Sequence, residues 1–219
     1  MQRTKHRLAA GTPFETSYYL LQGSEKGPVC MVTAGIHGTE IAGMYAAQKL
    51  RDIRIKKGTL LVVPIVNVQA YRQRIRGNPD LNRTFPRNSE DSANHVLAND
   101  LFRLAKRYEP ELCLDLHEAN GFSRLKKSAL GQSLITNPTS SSLPVVKRIV
   151  NRMNCSIDRK SRHFTIRLRV LPGSFRTAVA RVLGARAVTV ETSMNLPLAL
   201  RIQYQLDIVR HFLRGMDLI

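Results

Sequence analysis

His37-Gly38-Thr39-Glu40 sets an imidazole and a carboxylate three residues apart, directly after the apolar run Val29 to Ala34. A second concentration of such groups, Asp115-Leu116-His117-Glu118, ends a later apolar run. Two histidines and a glutamate are the ligand set of a catalytic zinc site that keeps one coordination position open. Glu118 competes with Glu40 for the third place, but adjacent strand residues point to opposite faces, so both cannot easily serve. Glu191 ends a further apolar run, where a carboxylate is costly unless it faces a cleft, a cation or water. Beside a metal-bound water it would act as general base and then as proton donor to a leaving amine. The segment from Arg72 to Pro86 gathers four arginines around Asn78 and Asn82, and an arginine beside an asparagine suits a substrate carboxylate. Each group also has a plainer reading. His37 and Glu40 could be an exposed pair favouring a helix N-terminus, His117 a sheet-edge histidine, Glu191 a surface strand end, and the arginines a solvated loop. His6, His95, His163 and His211 lack partner spacing and read as surface residues.

The elements that must position these groups alternate between the strand and helix periods. Strands are expected at Val29 to Ala34, Thr59 to Val66, Glu111 to His117, Ser128 to Thr136, Thr165 to Val170 and Ala187 to Val190. Pro64 argues for an end or irregularity of the second strand. Helices are expected at Glu40 to Leu50, Ser92 to Tyr108, Leu143 to Met153, Ser174 to Leu183 with Ser174 as N-cap, and Leu198 to Arg214. Asn67 to Asn94 reads as a long polar loop, and long ordered loops in compact domains are usually functional. This alternation predicts an α/β fold, with a mostly parallel, mixed central sheet and helices on both faces. In such folds ligands bind at the carboxyl ends of the strands. His37, His117 and Glu191 all fall there.

The chain has 219 residues, enough for one full core, and a formal charge of +18 with arginine outnumbering lysine 24 to 10. The basic residues are scattered over helices rather than concentrated in one tail, which argues against a nucleic-acid partner. With 6% aromatic residues and no tryptophan, a base-stacking platform is also disfavoured. No apolar run reaches the roughly 20 residues of a membrane span, so no membrane partner is expected. The basic N-terminus has no apolar stretch or cleavage site of a secretory signal. Cys30, Cys113 and Cys155 form no C-x-x-C pair and read as thiols of a reducing compartment, which predicts a cytoplasmic protein.

His37-Gly38-x-Glu40, Asn78-Pro79-Asp80-Leu81-Asn82-Arg83-x-Phe85-Pro86, Asp115-Leu116-His117 and Val190-Glu191, in this order, resemble the succinylglutamate desuccinylase/aspartoacylase family. That family belongs with the zinc carboxypeptidases of the A type. The resemblance runs from about Val29 to the last helix and implies that fold. It further implies one zinc ion per chain on His37, Glu40 and His117, with Glu191 activating the metal-bound water. Asn82 and Arg83 would hold a substrate carboxylate, and Asp80 would orient His37. Arg76, with Arg74 as the alternative, would polarise the scissile carbonyl. The expected activity is zinc-dependent hydrolysis of the amide bond of an N-acyl amino acid or a related small anionic, carboxylate-bearing substrate. A metallocarboxypeptidase acting on peptides or cell-wall fragments is the alternative, and a polyanion-binding protein on a hydrolase fold the remote one. Residues 1–219 are expected to form a single catalytic domain without the C-terminal β-domain of aspartoacylase-like enzymes. A homo-oligomer is left open.

Overall fold

Four apolar strands form the centre of the sheet: β3 (Glu25–Ala34), β4 (Lys57–Val63), β5 (Leu112–Ala119) and β8 (Arg186–Ser193). The computed structural model describes residues 1–219. Outside these lie β1 (Gln2–Leu8) and β2 (Thr16–Gln22) on one side, β6 (Ser133–Thr136) and β7 (Thr165–Leu168) on the other. The order is β1-β2-β4-β3-β5-β8-β6-β7. The β3–β4, β3–β5, β5–β8 and β6–β7 pairs are parallel, and the remaining three are antiparallel. Strands buried on both faces need no apolar alternation, which is why the central ones read as continuous apolar runs.

Helices α1 (Ile41–Leu50), α4 (Leu143–Cys155) and α6 (Leu198–Gly215) cover one face through a buried cluster that includes Leu112, Leu114 and Leu116 of β5. Helices α3 (Val96–Tyr108) and α5 (Phe175–Val182) cover the other, through a cluster that includes Cys113 of the same strand. The α/β expectation therefore holds, with the parallel pairing concentrated at the centre of the sheet. No helix is long and apolar enough to cross a membrane.

Several boundaries differ from the expectation. The β1–β2 hairpin has no counterpart in the sequence reading, because β1 buries only Leu8 and carries Arg3, Lys5, His6 and Arg7 on a sheet edge. Charged edge strands of this kind block pairing with another chain, and they leave no apolar period to read. The expected loop from Asn67 contains α2 (Val68–Gln73), capped by the Asn67 side chain, and a 3₁₀ turn at Leu81–Arg83. Helix α3 begins at Val96 rather than Ser92, since the His95 ring accepts from the Leu97 N–H. The strand expected from Ser128 shrinks to β6, because residues before it fold back and the Ser123 N–H reaches the Gly131 carbonyl. Strand β8 runs on to Ser193, so Glu191 lies inside a strand rather than at its end.

Candidate metal centre and its cleft

The turn after β3 delivers His37 and Glu40, and its geometry depends on Gly38. A Cβ at Gly38 would lie 2.0 Å from the carbonyl carbon of Ala70, so only glycine lets this turn rest on α2. Backbone on both sides cannot yield cheaply. Gly38→Ala is therefore expected to destabilise the fold by about 1–3 kcal/mol, read as a lowered melting temperature.

Glu40 takes the N-cap position of α1 but makes no capping bond with its side chain. Its carboxylate turns instead to the two histidines. Oε1 lies 2.6 Å from Nδ1 of His37, and Oε2 lies 2.7 Å from Nδ1 of His117. The opposite ring nitrogens are held by other carboxylates, His37 Nε2 by Asp80 at 3.1 Å and His117 Nε2 by Asp115 at 2.7 Å. Asp115 is itself fixed by the Thr33 hydroxyl at 2.8 Å. All three members of the cluster are buried, and their ligand atoms lie within 4.8 Å of one another.

These contacts state what the site can hold. Carboxylates on Nε2 favour the tautomer protonated there, which leaves each Nδ1 with a lone pair. Two lone pairs then face a carboxylate, an arrangement of acceptors that needs protons or a cation between them. Without a cation, burial would depress the His117 pKa, but Asp115 and Glu40 outweigh it and hold the ring well above the ordinary histidine range. Burial alone would raise Glu40, yet His117 and His37 pull it down to about 2. A divalent ion would replace those protons. The donor set fits a metal.

Glu191 pairs with His117 across β5 and β8 and lines the same cleft. One of its carboxylate oxygens is buried without a hydrogen-bond partner. Burial raises its pKa to about 8, reinforced by Glu40 and Asp115 and opposed by His117 and Arg76. A buried carboxylate so placed is at odds with a structural role and suited to proton transfer near neutral pH.

Asp80 joins the metal cluster to the arginine loop. One oxygen accepts from the Asn82 N–H at 2.9 Å and faces His37, while the other accepts from Arg76 Nε at 3.1 Å. Burial works against its charge, but His37 and Arg76 hold Asp80 well below the usual carboxylate range. Arg76 lies 3.7 Å from Glu40, at the rim of the cleft. The Asn82 side-chain carbonyl oxygen accepts from the Phe175 N–H at 2.9 Å, leaving its NH₂ to donate elsewhere. The Arg83 guanidinium donates to the Asn82 backbone carbonyl at 2.7 Å and stays about half exposed. Behind Arg83, Gly173 has φ +81° and leaves no room for a Cβ, which would lie 2.5 Å from the Arg83 carbonyl. Arg74 is not brought to the cleft: it ends α2 in the left-handed conformation with its side chain exposed.

The sequence reading assigned no role to Asp115, Arg169, Arg176 or Arg201. Arg169 and Arg176 line the same cleft as Arg76, Asn82 and Arg83. Arg176 is buried, donating to Asn137 and to the Arg169 carbonyl. A signal was available, since Asp158 is the only acidic residue between Glu118 and Glu191, against fourteen lysines and arginines. The excess of positive charge is therefore concentrated in the stretch that contains β6, α4, β7 and α5, where acidic residues are nearly lacking.

Residues 26–215 match the succinylglutamate desuccinylase/aspartoacylase catalytic domain. An N-alpha-acetyl-L-2,4-diaminobutyric acid deacetylase of Halomonas elongata is 33% identical over 99 residues, or 42% of this chain and 29% of that protein. Among solved structures, the cell shape determinant protein Csd4 of Helicobacter pylori overlays 93% of this chain and 55% of its own, with a TM-score of 0.76 and 18% identity. A succinylglutamate desuccinylase/aspartoacylase from Rhodobacter sphaeroides overlays 99% of this chain and 66% of its own, with a TM-score of 0.73 and 16% identity. This chain thus spans less than a third of the curated relative and about half of the Csd4 chain, and the two structures speak for the fold alone. The family match covers most of the chain, including every residue of the cluster just described, and on that ground the chain belongs to the succinylglutamate desuccinylase/aspartoacylase family.

Proposed function

We propose that this chain is a zinc-dependent hydrolase that removes the acyl group from an N-acyl amino acid with a free carboxylate. The observation that carries this reading is the converging triad of acceptors, His37 Nδ1, Glu40 and His117 Nδ1, beside the unpartnered carboxylate oxygen of Glu191. Support also comes from the relative in Halomonas elongata, whose name describes deacetylation of an N-acetyl amino acid. When bound, zinc supplies a Lewis acid that polarises a carbonyl and makes water more acidic. His37, Glu40 and His117 would hold one ion per chain. Glu191 takes a proton from the attacking water and delivers it to the nitrogen as the C–N bond breaks. Arg76 donates to the carbonyl oxygen as negative charge builds on it. Arg83 and the Asn82 NH₂ grip the substrate carboxylate, while Asp80 and Asp115 keep the histidine rings in the tautomer that presents Nδ1. The buried free thiols Cys30 and Cys113 support a cytoplasmic setting.

The test is a screen of the zinc-loaded protein on N-acyl amino acids against peptides with a free C-terminus. Faster turnover of the first group is expected. Preference for peptides would move the reading to a carboxypeptidase built on the same residues. Steeply salt-dependent binding of DNA or RNA with no metal-dependent hydrolysis would overturn both. Within the favoured class, Arg83→Ala should raise KM about tenfold to a hundredfold, as expected for a lost charged hydrogen bond. Its kcat should change far less. Steady-state kinetics on a carboxylate substrate and on its amide analogue checks this, since the analogue should not feel the substitution.

A further inference from the structure

Glu118 sits beside a ligand of the metal cluster yet takes no part in it. Its carboxylate is fully buried and engaged on both oxygens. Oε2 accepts from the Ala42 N–H at 2.8 Å, in the first turn of α1, and Oε1 accepts from Arg201 of α6 at 2.6 Å. In return, the Glu118 backbone N–H donates to Glu40 Oε2 at 3.1 Å. The exchange resembles a capping box formed between two elements. Glu40 cannot cap α1, because its carboxylate is turned to the histidines, and Glu118 supplies the cap instead while its own N–H fixes Glu40. One turn after Arg201, the buried Gln205 side chain donates to the His117 carbonyl at 2.8 Å and to Thr192 at 3.1 Å. Helix α6, whose residues contribute no ligand, therefore holds the backbone under both His117 and Glu118.

We propose that Glu118 and Arg201 are positioning residues for the metal site, acting as a clamp that ties α6 to the start of α1 and fixes where the Glu40 carboxylate lies. The proposal rests on the metal reading above. A pair serving only fold stability would be replaceable by apolar side chains of similar size, since buried ion pairs are often no more stabilising than such replacements. A clamp on a ligand would not be. Losing it leaves all three ligands present but lets the α1 N-terminus relax, so the cost falls on metal affinity.

The experiment measures zinc dissociation constants by chelator competition for wild type, Arg201→Lys, Arg201→Gln and the double variant Glu118→Met/Arg201→Met. Metal-free melting temperatures are measured alongside. The double variant is expected to melt near wild type and to bind zinc about tenfold to a hundredfold more weakly, the usual cost of losing a contact behind a ligand. Its kcat should recover in excess zinc with KM unchanged, a signature that general loosening would not give. Arg201→Lys should stay within a few-fold of wild type and Arg201→Gln should lie between. Should the double variant not fold, the two single variants decide by the same ranking. Wild-type zinc affinity in the double variant, or in Arg201→Gln where that variant decides, overturns the clamp alone. If wild type itself takes up no stoichiometric zinc, the clamp and the metal reading both fall.

Discussion

Glu191→Gln is expected to lower kcat by about a thousandfold or more, within the range that a lost general base costs, while the protein still binds one zinc ion. The substituted amide would keep the shape and the burial but could neither take a proton from water nor return it to the amine. A second consequence runs in the opposite direction. The Glu191 carboxyl is held at about 8 in the metal-free fold, chiefly by burial, against an ordinary value near 4.5. As pH rises from about 4.5 to about 8, the unfolded chain ionises this group and the folded one resists, so the native state loses stability. The glutamine variant has no such penalty. Its metal-free form should melt above wild type at pH 8 and close to it at pH 4. A variant that is inactive, zinc-replete and more stable at high pH is the pattern of a group placed for chemistry at a cost in stability. Retention of most of the rate would remove Glu191 from the base role.

Glu40→Ala is expected to abolish stoichiometric zinc uptake at micromolar concentrations and activity with it. Glu40 is the group on which both histidines converge, and its loss leaves two ligands, too few to hold the ion in a three-ligand site. In wild type, zinc should raise the melting temperature by roughly 5–10 °C at a hundredfold excess over its dissociation constant, from a linkage of about 2.7 kcal/mol. The gain should depend on pH. Without metal, the raised His117 pKa contributes stability that is complete below the ordinary histidine pKa and is lost as pH rises through the shifted one. Zinc must displace those protons, so binding near neutral pH should release protons and show a heat that varies with the ionisation enthalpy of the buffer. Calorimetry in two buffers reads this directly. A buffer-independent heat would mean that the site is already free of protons, contrary to the geometry around Glu40.

The α/β class, the central strands and five of the six helices were legible because long apolar runs and 3.6-residue periods are local properties of the chain. The β1–β2 hairpin was not, since β1 is a charged edge strand that buries only Leu8 and so shows no apolar period. Helix α2 was masked for a related reason: it is short, polar and held by the side chain of Asn67 rather than by an apolar face.

At the site, strand alternation argued that the adjacent His117 and Glu118 cannot easily both serve, and their side chains do lie on opposite faces of the sheet. Asp115 and His117 share the Cys113 face of β5, while Glu118 continues the Leu112, Leu114, Leu116 face toward α1 and α6. Residue type and strand parity are written in the chain, so the candidate ligand types and their places near the carboxyl ends of strands were legible in it. The fold alone placed Arg169 and Arg176 on the wall of the cleft and paired Arg201 of the last helix with Glu118. Those contacts join residues far apart in sequence, and their partners are chosen by helix packing on the sheet rather than by any local pattern.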